Sequence, residues 1–157
     1  MRNLFFVLAC GAAAMAAPAT SRQASSSVSM LYGHWQVTGV AVSDVGVQAL
    51  ARNDPAYMGR RLSFTHDRLA WDKPKAISTE APCIAPTIRP TAPDGDPEAR
   101  ALVRRIGGPA TRTFSVSCRN SPWGPAAPPA PMILALRDGT IGLWWFDGGL
   151  LKLRRLR

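Results

Sequence analysis

The side chains that could do acid–base chemistry are few, and they come together in one short stretch. The chain has two histidines, and His66 is followed by Asp67 and then by Asp72. A histidine beside carboxylates can act as a general base, so these three residues are the candidates for a hydrolase site. His34 falls on the outward face of a predicted strand and His66 in a predicted turn, which favours surface positions for both. The chain lacks GxSxG, HExxH, Walker and dinucleotide motifs, so we expect no enzyme.

Metal and cofactor chemistry find little support in the spacing of the other polar residues. Acidic residues cluster from Asp94 to Glu98 and could attract a calcium ion, but the EF-hand ligand pattern is missing. Asp96 and Glu98 are better explained as the cap and first turn of a helix. We therefore predict no metal site and no cofactor.

The first residues of the chain have the pattern of a secretory signal. A short positive start precedes an apolar stretch from Leu4 to Ala17, with small residues at a cleavage site after it. The pattern predicts a signal peptide over 1–19 and a periplasmic or secreted protein. The residues around Cys10 also resemble a lipobox, so a lipid anchor at Cys10 is the alternative. No segment offers the ~20 apolar residues of a transmembrane helix.

Export leaves two cysteines, Cys83 and Cys118, once residues 1–19 are removed. An even number of cysteines in an oxidising compartment is most simply one disulfide bond. A reactive or metal-binding pair is the alternative, but the chain has no CxxC spacing and no clustered histidines. We predict that Cys83 and Cys118 are joined.

The formal net charge is +9, and the basic residues are dispersed along the chain. In an envelope protein such a charge favours anionic lipid headgroups, lipopolysaccharide, acidic glycans or an acidic protein as partners. Nucleic acid fits poorly, because the chain is exported and has no recognised binding module. An inhibitor of basic lysozymes would be expected to be acidic. A basic surface that only keeps the protein soluble is the alternative.

The C-terminal stretch reads as three antiparallel strands. Asp138-Gly139 is typical of a two-residue type I′ hairpin. This turn would put Leu134 opposite Leu143 and Trp145 opposite Met132, all on one side of the sheet. That side would be the core.

The next turn sets the register of the last strand. A three-residue loop at Asp147–Gly149 would place Trp145 opposite Leu151 and Leu143 opposite Leu153 on the core side. Lys152 and Arg154 would then point to water. A two-residue turn would bury Lys152, so the hydrophobic pattern favours the longer loop.

The remaining patterns predict strands and short helices. The alternation over Gly33–Val42 puts Trp35, Val37, Gly39 and Ala41 on one face. The other predicted elements are a hairpin of Arg61–Thr65 and Arg68–Asp72, an edge segment Cys83–Arg89 interrupted by Pro86, a helix over Pro97–Ile106, a strand over Thr111–Cys118, a helix start at Asn53–Pro55 that ends at Gly59, and a loop over Ser121–Pro131.

These elements predict an all-β fold with one short helix. About eight antiparallel strands are best arranged as a small barrel, since closure removes exposed edges. A two-sheet sandwich is the alternative. Residues 30–157 would form one domain, preceded by a flexible serine-rich leader over 20–29.

One pair of features resembles a known family. Gly33-His34-Trp35 on the first strand, with Arg154 or Arg155 on the last, is similar to the lipocalin-like calycin arrangement. The resemblance implies that Trp35 closes the barrel base and that a basic side chain packs over it. It also implies a small apolar ligand or a protein partner.

Two binding modes follow as hypotheses. In the first, a small apolar or amphipathic ligand, such as a lipid, lies in the barrel against Trp35, Leu134, Leu143 and Trp145. Simple core filling is the alternative for these residues.

In the second, the protein is an interaction or inhibitor module that uses its basic outer surface, with Trp144, Lys152 and Arg154 as contacts. Trp144 would be either covered by the helix from Pro97 or exposed beside a cation. If they were exposed together, Tyr32, Trp71 and Trp144 would mark a binding surface.

Overall fold

One antiparallel sheet of nine strands makes up most of the protein. The computed structural model describes residues 28–44, 49–75, 80–92, 97–119, 123–124, 132–146 and 149–157. The strands are β1 (Gly33–Val42), β2 (Arg61–Phe64), β3 (Arg68–Trp71), β4 (Cys83–Ile84), β5 (Thr87–Thr91), β6 (Ala110–Ser117), β7 (Met132–Leu136), β8 (Ile141–Phe146) and β9 (Gly149–Arg155), and helix α1 (Pro97–Gly107) lies between β5 and β6. Their order across the sheet is β4-β3-β2-β1-β9-β8-β7-β6-β5.

The sheet curls into a half-barrel, which confirms the predicted all-β class. Its two edges are β4 and β5, although these strands follow each other in the chain. Only Ala85 and Pro86 separate them, so the ends of the two strands lie within about 11 Å of each other. The predicted segment Cys83–Arg89 is thus two edge strands, which explains nine strands where the sequence suggested eight.

A disulfide joins the two edges of the curled sheet. Cys83 lies on β4, and Cys118 directly follows β6, the neighbour of β5. Their sulfurs are bonded as predicted, and the amide of Arg119 donates to the carbonyl of Ile84 at 3.0 Å. The covalent bond and this hydrogen bond hold the edges together where the ladder itself is interrupted.

Strand β1 has the predicted bounds but changes face midway. Trp35 and Val37 are buried in the core, and a bulge follows between Val37 and Gly39. After the bulge Val40, not Gly39, points into the core, while Ala41 faces outward. The simple alternation predicted for this strand fails because an extra residue in one strand inverts all later positions.

The first C-terminal hairpin is shifted by one residue from its predicted register. The amide of Leu136 donates to Thr140, so Arg137, Asp138 and Gly139 form a three-residue loop with Gly139 at φ +79°. A type I turn followed by a left-handed glycine makes this loop, whereas type I′ needs positive φ at both turn residues. Asp138 stabilises the observed loop by accepting from the amide of Thr140 at 3.0 Å.

Because of this shift, every residue of β7 lies on the face of the sheet opposite to the one predicted. Leu134 lies opposite Gly142, and Ile133 lies opposite Leu143. Ile133 and Ala135 therefore enter the core, while Met132, Leu134 and Leu136 face the outside of the sheet. A one-residue slip exchanges the two faces of a strand, because side chains alternate with a period of two.

In the second hairpin, formed by β8 and β9, the core residues point to the predicted side of the sheet, but the two strands pair in a different register. Phe146 pairs with Gly149, so Gly149 belongs to β9, and Leu143 faces Leu151 instead of Leu153. A bulge between Trp144 and Phe146 restores the alternation. Trp145 and Leu151 consequently still point into the core. The prediction of a three-residue loop is wrong because it did not allow for a bulge.

Helix α1 covers part of the outer face of the sheet. Leu102 and Val103 pack with Leu134 and Leu150 in a second buried cluster, separate from the core. Leu134 therefore lies beneath α1 and not beside Trp35. The helix agrees with its predicted bounds to within one residue at its C-terminal end.

Other predictions have mixed outcomes. The predicted helix after Asn53 is a single turn, in which Asp54 accepts from the amides of Ala56, Tyr57 and Met58. Val28 already packs against the core. The signal peptide, Cys10, the leader up to 27, the cap Asp96 and most of the loop Ser121–Pro131 lie outside the described residues.

Candidate binding surfaces

Three of the four residues predicted to line a ligand cavity lie together in the core. Trp35, Leu143 and Trp145 are at most 2% exposed and belong to one continuous cluster. Leu134 faces the opposite side of the sheet because of the shift in the first hairpin. The four residues therefore do not form one surface, and the three inner ones pack against other apolar side chains.

The feature that resembles the calycin arrangement has the expected geometry. The guanidinium carbon of Arg155 lies 4.8 Å from the centre of the Trp35 ring, and the two residues pair across β1 and β9. Trp35 donates from Nε1 to the carbonyl of Leu31 at 2.8 Å, and Arg155 donates to the carbonyl of Met30. Arg155, and not Arg154, thus covers the tryptophan and fastens the start of the domain to its last strand.

A buried ion pair that the sequence did not reveal lies at another part of the core. Glu80 is fully buried and accepts two hydrogen bonds from Arg60, at 2.8 and 2.6 Å. The amide of Lys75 and the hydroxyl of Tyr57 also donate to Glu80, at 2.6 and 3.3 Å. A hairpin separates Arg60 from Glu80 along the chain, so no local spacing could have paired them.

Aromatic rings surround this ion pair. The Arg60 guanidinium lies 4.6 Å from the centre of the Trp71 ring and 5.2 Å from that of Tyr57. Trp145 donates from Nε1 to the Tyr57 hydroxyl at 3.1 Å, and Trp123 packs against Trp145 at 5.0 Å between ring centres. Trp123, which the sequence left unplaced, is thus a core residue.

The ionisation of these groups follows from their surroundings. Burial alone would raise the pKa of Glu80, but the hydrogen bonds from Arg60 and from the Lys75 amide outweigh it, and the net effect is a lowered pKa. Burial raises the pKa of Tyr57. Glu80 is therefore a carboxylate paired with a cation, and the pair is buried among aromatic rings.

The candidate catalytic residues do not converge. Asp67 accepts from the hydroxyl of Thr65, and the ring of His66 packs on Tyr32 at 4.1 Å between ring centres. Asp72 instead accepts from the hydroxyl of Ser63. These three residues of one hairpin thus have separate partners.

A second histidine lies near the same serine. Nδ1 of His34 is 2.9 Å from Ser63 Oγ, which donates to Asp72 at 3.0 Å. In a catalytic triad the histidine lies between the serine and the carboxylate, whereas here Ser63 occupies the middle. Within the described residues, no three His, Cys, Asp or Glu side chains are grouped to hold a metal ion.

Two clefts open on the outer face of the sheet. The first, of about 450 Å³, lies between β1 and the end of α1, and the basic residues Arg52, Arg105 and Lys152 line it. The second, of about 540 Å³, lies beside Gln36, with Arg61 and Lys73 among its lining residues. Neither cleft is lined by the predicted ligand residues Trp35, Leu134, Leu143 and Trp145.

We use the name outer basic face for six cations in or beside these clefts. Arg52, Arg105 and Lys152 line the first cleft, Arg61 and Lys73 line the second, and Arg154 lies on β9 opposite Gln36. Arg60 also lines the second cleft, but it is paired with Glu80. Arg154 is exposed, and Lys152 lies opposite Gly39. Both occupy outward positions of β9, as predicted, because Leu151 and Leu153 point into the core.

Two of these cations have carboxylate partners. Arg105 binds Asp44, and this contact lowers the pKa of Asp44. Lys152 binds Asp138 at 2.8 Å. Burial would raise the pKa of Asp138, but hydrogen bonds from Lys152 and Thr140 outweigh it and lower the pKa to about 2.

The tryptophans do not form an exposed binding surface. Trp71 is 2% exposed, and Trp144 is half-buried against the cluster that α1 covers. Of the three residues predicted as surface contacts, Lys152 and Arg154 thus belong to the outer basic face, while Trp144 packs in the covered part of the sheet.

Comparisons with protein-family models, with curated proteins and with solved structures return no match for this chain. The class is therefore defined by the fold itself: a disulfide-clasped antiparallel half-barrel with a helix on its outer face. Among the described residues, no helix has the length and apolar character needed to cross a bilayer. The disulfide is compatible with a location outside the cytoplasm.

Proposed function

We propose that this protein is an exported, non-catalytic module of the cell envelope that binds an anionic component on its outer basic face. The observation that carries the proposal is the contrast between the two sides of the sheet. The inner side buries Trp35, Leu143 and Trp145 against other apolar side chains, whereas the outer side has clefts lined by cations.

The charge balance of the outer basic face supports an anionic partner. Six cations lie close to three carboxylates, those of Asp44, Asp72 and Asp138. Of the six cations of the outer basic face, Arg52, Arg61, Lys73 and Arg154 form no salt bridge with a described carboxylate, and all four are exposed. Arg52 lines the first cleft, and Arg61 and Lys73 line the second. Cations without a counter-charge in a cleft concentrate positive potential there, and this raises the local concentration of anions.

Charge reversal on the outer basic face tests the proposal. We expect the double variant Arg61→Glu and Arg154→Glu to bind soluble heparin and phosphatidylglycerol vesicles at least about tenfold more weakly than the native protein. Affinities would be measured by titration calorimetry and by vesicle sedimentation. Neutral dextran and phosphatidylcholine vesicles serve as uncharged probes.

The matched control is the double variant Arg89→Glu and Arg119→Glu. Both residues are exposed, and their replacement changes the net charge by the same amount. Arg89 lies on the edge strand β5 and Arg119 just after β6, away from the strands β1, β2 and β9 that carry Gln36, Arg61 and Arg154. We expect this control to keep most of the affinity. Equal losses in the two variants would show that only the net charge matters and would contradict the proposal.

A small ligand within a lipocalin-like half-barrel is the second candidate, and one observation favours it. The indole N–H groups of Trp71 and Trp123 are buried, and neither has a hydrogen-bond partner. Both rings pack against Trp145, at 5.3 and 5.0 Å between ring centres. An unpaired buried donor costs about 1–3 kcal/mol, which an acceptor on a ligand would recover.

Native mass spectrometry of protein purified from its own envelope tests this second candidate. We expect a retained small molecule whose occupancy falls in the Trp71→Phe variant, since phenylalanine lacks the donor. A variant with Arg89→Glu should retain the molecule. Mass spectra of the bare chain alone, under conditions that preserve a lipid on a known carrier, would exclude a stably held ligand.

A further inference from the structure

The two clefts of the outer basic face lie along the same strand. Gln36 lines the second cleft, and the segment from Gly39 to Val42 lines the first. Gln36, Gly39 and Ala41 occupy outward positions, since Trp35, Val37 and Val40 point into the core. The clefts thus open on the same side of β1.

Cations connect the clefts along this side. Arg154 lies opposite Gln36, and Lys152 lies opposite Gly39. With a rise of 3.2–3.4 Å per residue, the part of β1 from Gln36 to Val42 spans roughly 20 Å. The structure therefore presents a row of cations that runs from one cleft to the other, in which Lys152 is paired with Asp138 and Arg154 has no salt bridge.

We infer that the outer basic face binds a linear polyanion, such as an acidic polysaccharide chain, laid along β1 across both clefts. This inference rests on the proposed function and names its ligand class. A chain that repeats its negative charge can engage Arg61 and Lys73 in the second cleft and Arg52 in the first. Joining several weak exposed contacts in one ligand raises the affinity well above that of each contact.

The position of α1 favours a narrow chain over a flat membrane. The helix packs on the outer face, and its residues Arg105 and Ile106 line the first cleft. A planar bilayer approaching this face would meet the exposed side of α1 before it reached Lys152 beneath. A single extended chain can instead follow β1 beside the helix and reach the cations that line the two clefts.

Gly39 keeps the middle of the row open. A Cβ built at Gly39 would lie 3.7 Å from Cβ of Lys152 and 3.9 Å from Oδ1 of Asn53, which are ordinary contact distances. The backbone there is also outside the left-handed region, as Gly39 is not among the positive-φ residues. The fold therefore accepts a side chain at this position, but a large one would project into the first cleft.

The length of the ligand provides the test. Heparin disaccharide is shorter than the row of cations, whereas heparin octasaccharide is longer. By titration calorimetry we expect the octasaccharide to bind about tenfold or more tightly than the disaccharide, with one molecule per protein. Arg52→Glu in the first cleft and Arg61→Glu in the second should each weaken octasaccharide binding several-fold.

A variant that keeps every charge tests whether the ligand must lie along β1 or is held by the net charge alone. Gly39→Ile leaves all charges in place, and we expect it to weaken octasaccharide binding several-fold and disaccharide binding little. Circular dichroism and thermal unfolding would confirm that the variant is folded. If it does not fold, the two charge variants still test the inference.

Three outcomes would overturn the inference. The first is equal affinity for the two oligosaccharides, and the second is two octasaccharides bound per protein. The third is tighter binding of phosphatidylglycerol vesicles than of the octasaccharide, with vesicle binding unchanged in the Gly39→Ile variant. The last would indicate a membrane surface as the partner. The proposed function fails separately, if the Arg61→Glu and Arg154→Glu double variant binds every anion as well as its control.

Discussion

Replacing Glu80 with glutamine is expected to lower the free energy of unfolding by about 3 kcal/mol. The substitution keeps the size of the side chain but leaves the Arg60 guanidinium, which is 15% exposed, without its counter-charge. It also places an amide donor among donors, because Arg60, the Lys75 amide and the Tyr57 hydroxyl all donate to Glu80. Urea denaturation followed by tryptophan fluorescence would measure the loss.

The control for this prediction is Asp72→Asn. Asp72 is exposed and accepts from the hydroxyl of Ser63, so its loss should cost less than about 1 kcal/mol. A loss of stability in Glu80→Gln as small as in the control would show that the ion pair contributes little and would contradict the prediction.

The pH dependence of stability gives a second measurement of the same pair. The folded pKa of Glu80 is lowered, so its contribution is complete above the ordinary glutamate value of 4.5 and is lost as the pH falls below it. The difference in unfolding free energy between the native protein and Glu80→Gln should therefore be constant near neutral pH and shrink as the pH falls from 4.5. A difference that grows in acid would contradict this sign.

Removing both partners should cost less than removing one. In the double variant Arg60→Met and Glu80→Leu, no charge remains buried, and apolar side chains can pack on Trp71 and Tyr57. Replacement of buried ion pairs by apolar residues is often neutral or stabilising. We expect the double variant to recover part of the stability that Glu80→Gln loses, and the recovered part would be assigned to the uncompensated charge. The remainder would reflect the Lys75 amide and the Tyr57 hydroxyl, which the double variant leaves without their acceptor.

The sequence predicted the elements of the fold better than their register. Strand β1, the hairpin of β2 and β3 and helix α1 follow from alternation, turn residues and helical spacing, all of which are local signals. The shift at Asp138-Gly139 and the bulge near Trp145 depend on which loop closes best within the whole sheet. Several turn types accept the same Asp-Gly pair, so local chemistry did not decide between them.

The same reasoning explains what could be predicted of the candidate sites. The outward positions of Lys152 and Arg154 follow from strand alternation, and the disulfide from the number of cysteines. The partnership of Arg60 with Glu80 and the two clefts along β1 depend on contacts between segments distant in the chain. Such contacts leave no periodic trace in a single sequence, and the hydrogen-bonding side chains of loops are the least patterned of all.

The disulfide is the second feature whose removal should have a large effect. We expect the double variant Cys83→Ala and Cys118→Ala to lose about 4 kcal/mol of unfolding free energy. The disulfide joins residues 35 positions apart, and without it the unfolded chain gains conformational entropy. Urea denaturation would measure the loss. Reduction of the native protein should give a similar loss without any change of sequence, which controls for the side-chain atoms that alanine removes. A loss below about 1 kcal/mol in both would contradict the prediction.

Hydrogen exchange should show where the disulfide acts. Because the bond joins β4 to the end of β6, its loss should release the edges of the half-barrel first and raise amide exchange in β4 and β5. The central strands β1, β8 and β9 keep their backbone hydrogen bonds, so their amides should still exchange only when the whole protein unfolds. Uniform acceleration in all strands would show instead that the disulfide stabilises the sheet as one unit. In either result none of the six cations of the outer basic face lies on the edge strands β4 and β5, so anion binding should survive reduction as long as the sheet stays folded.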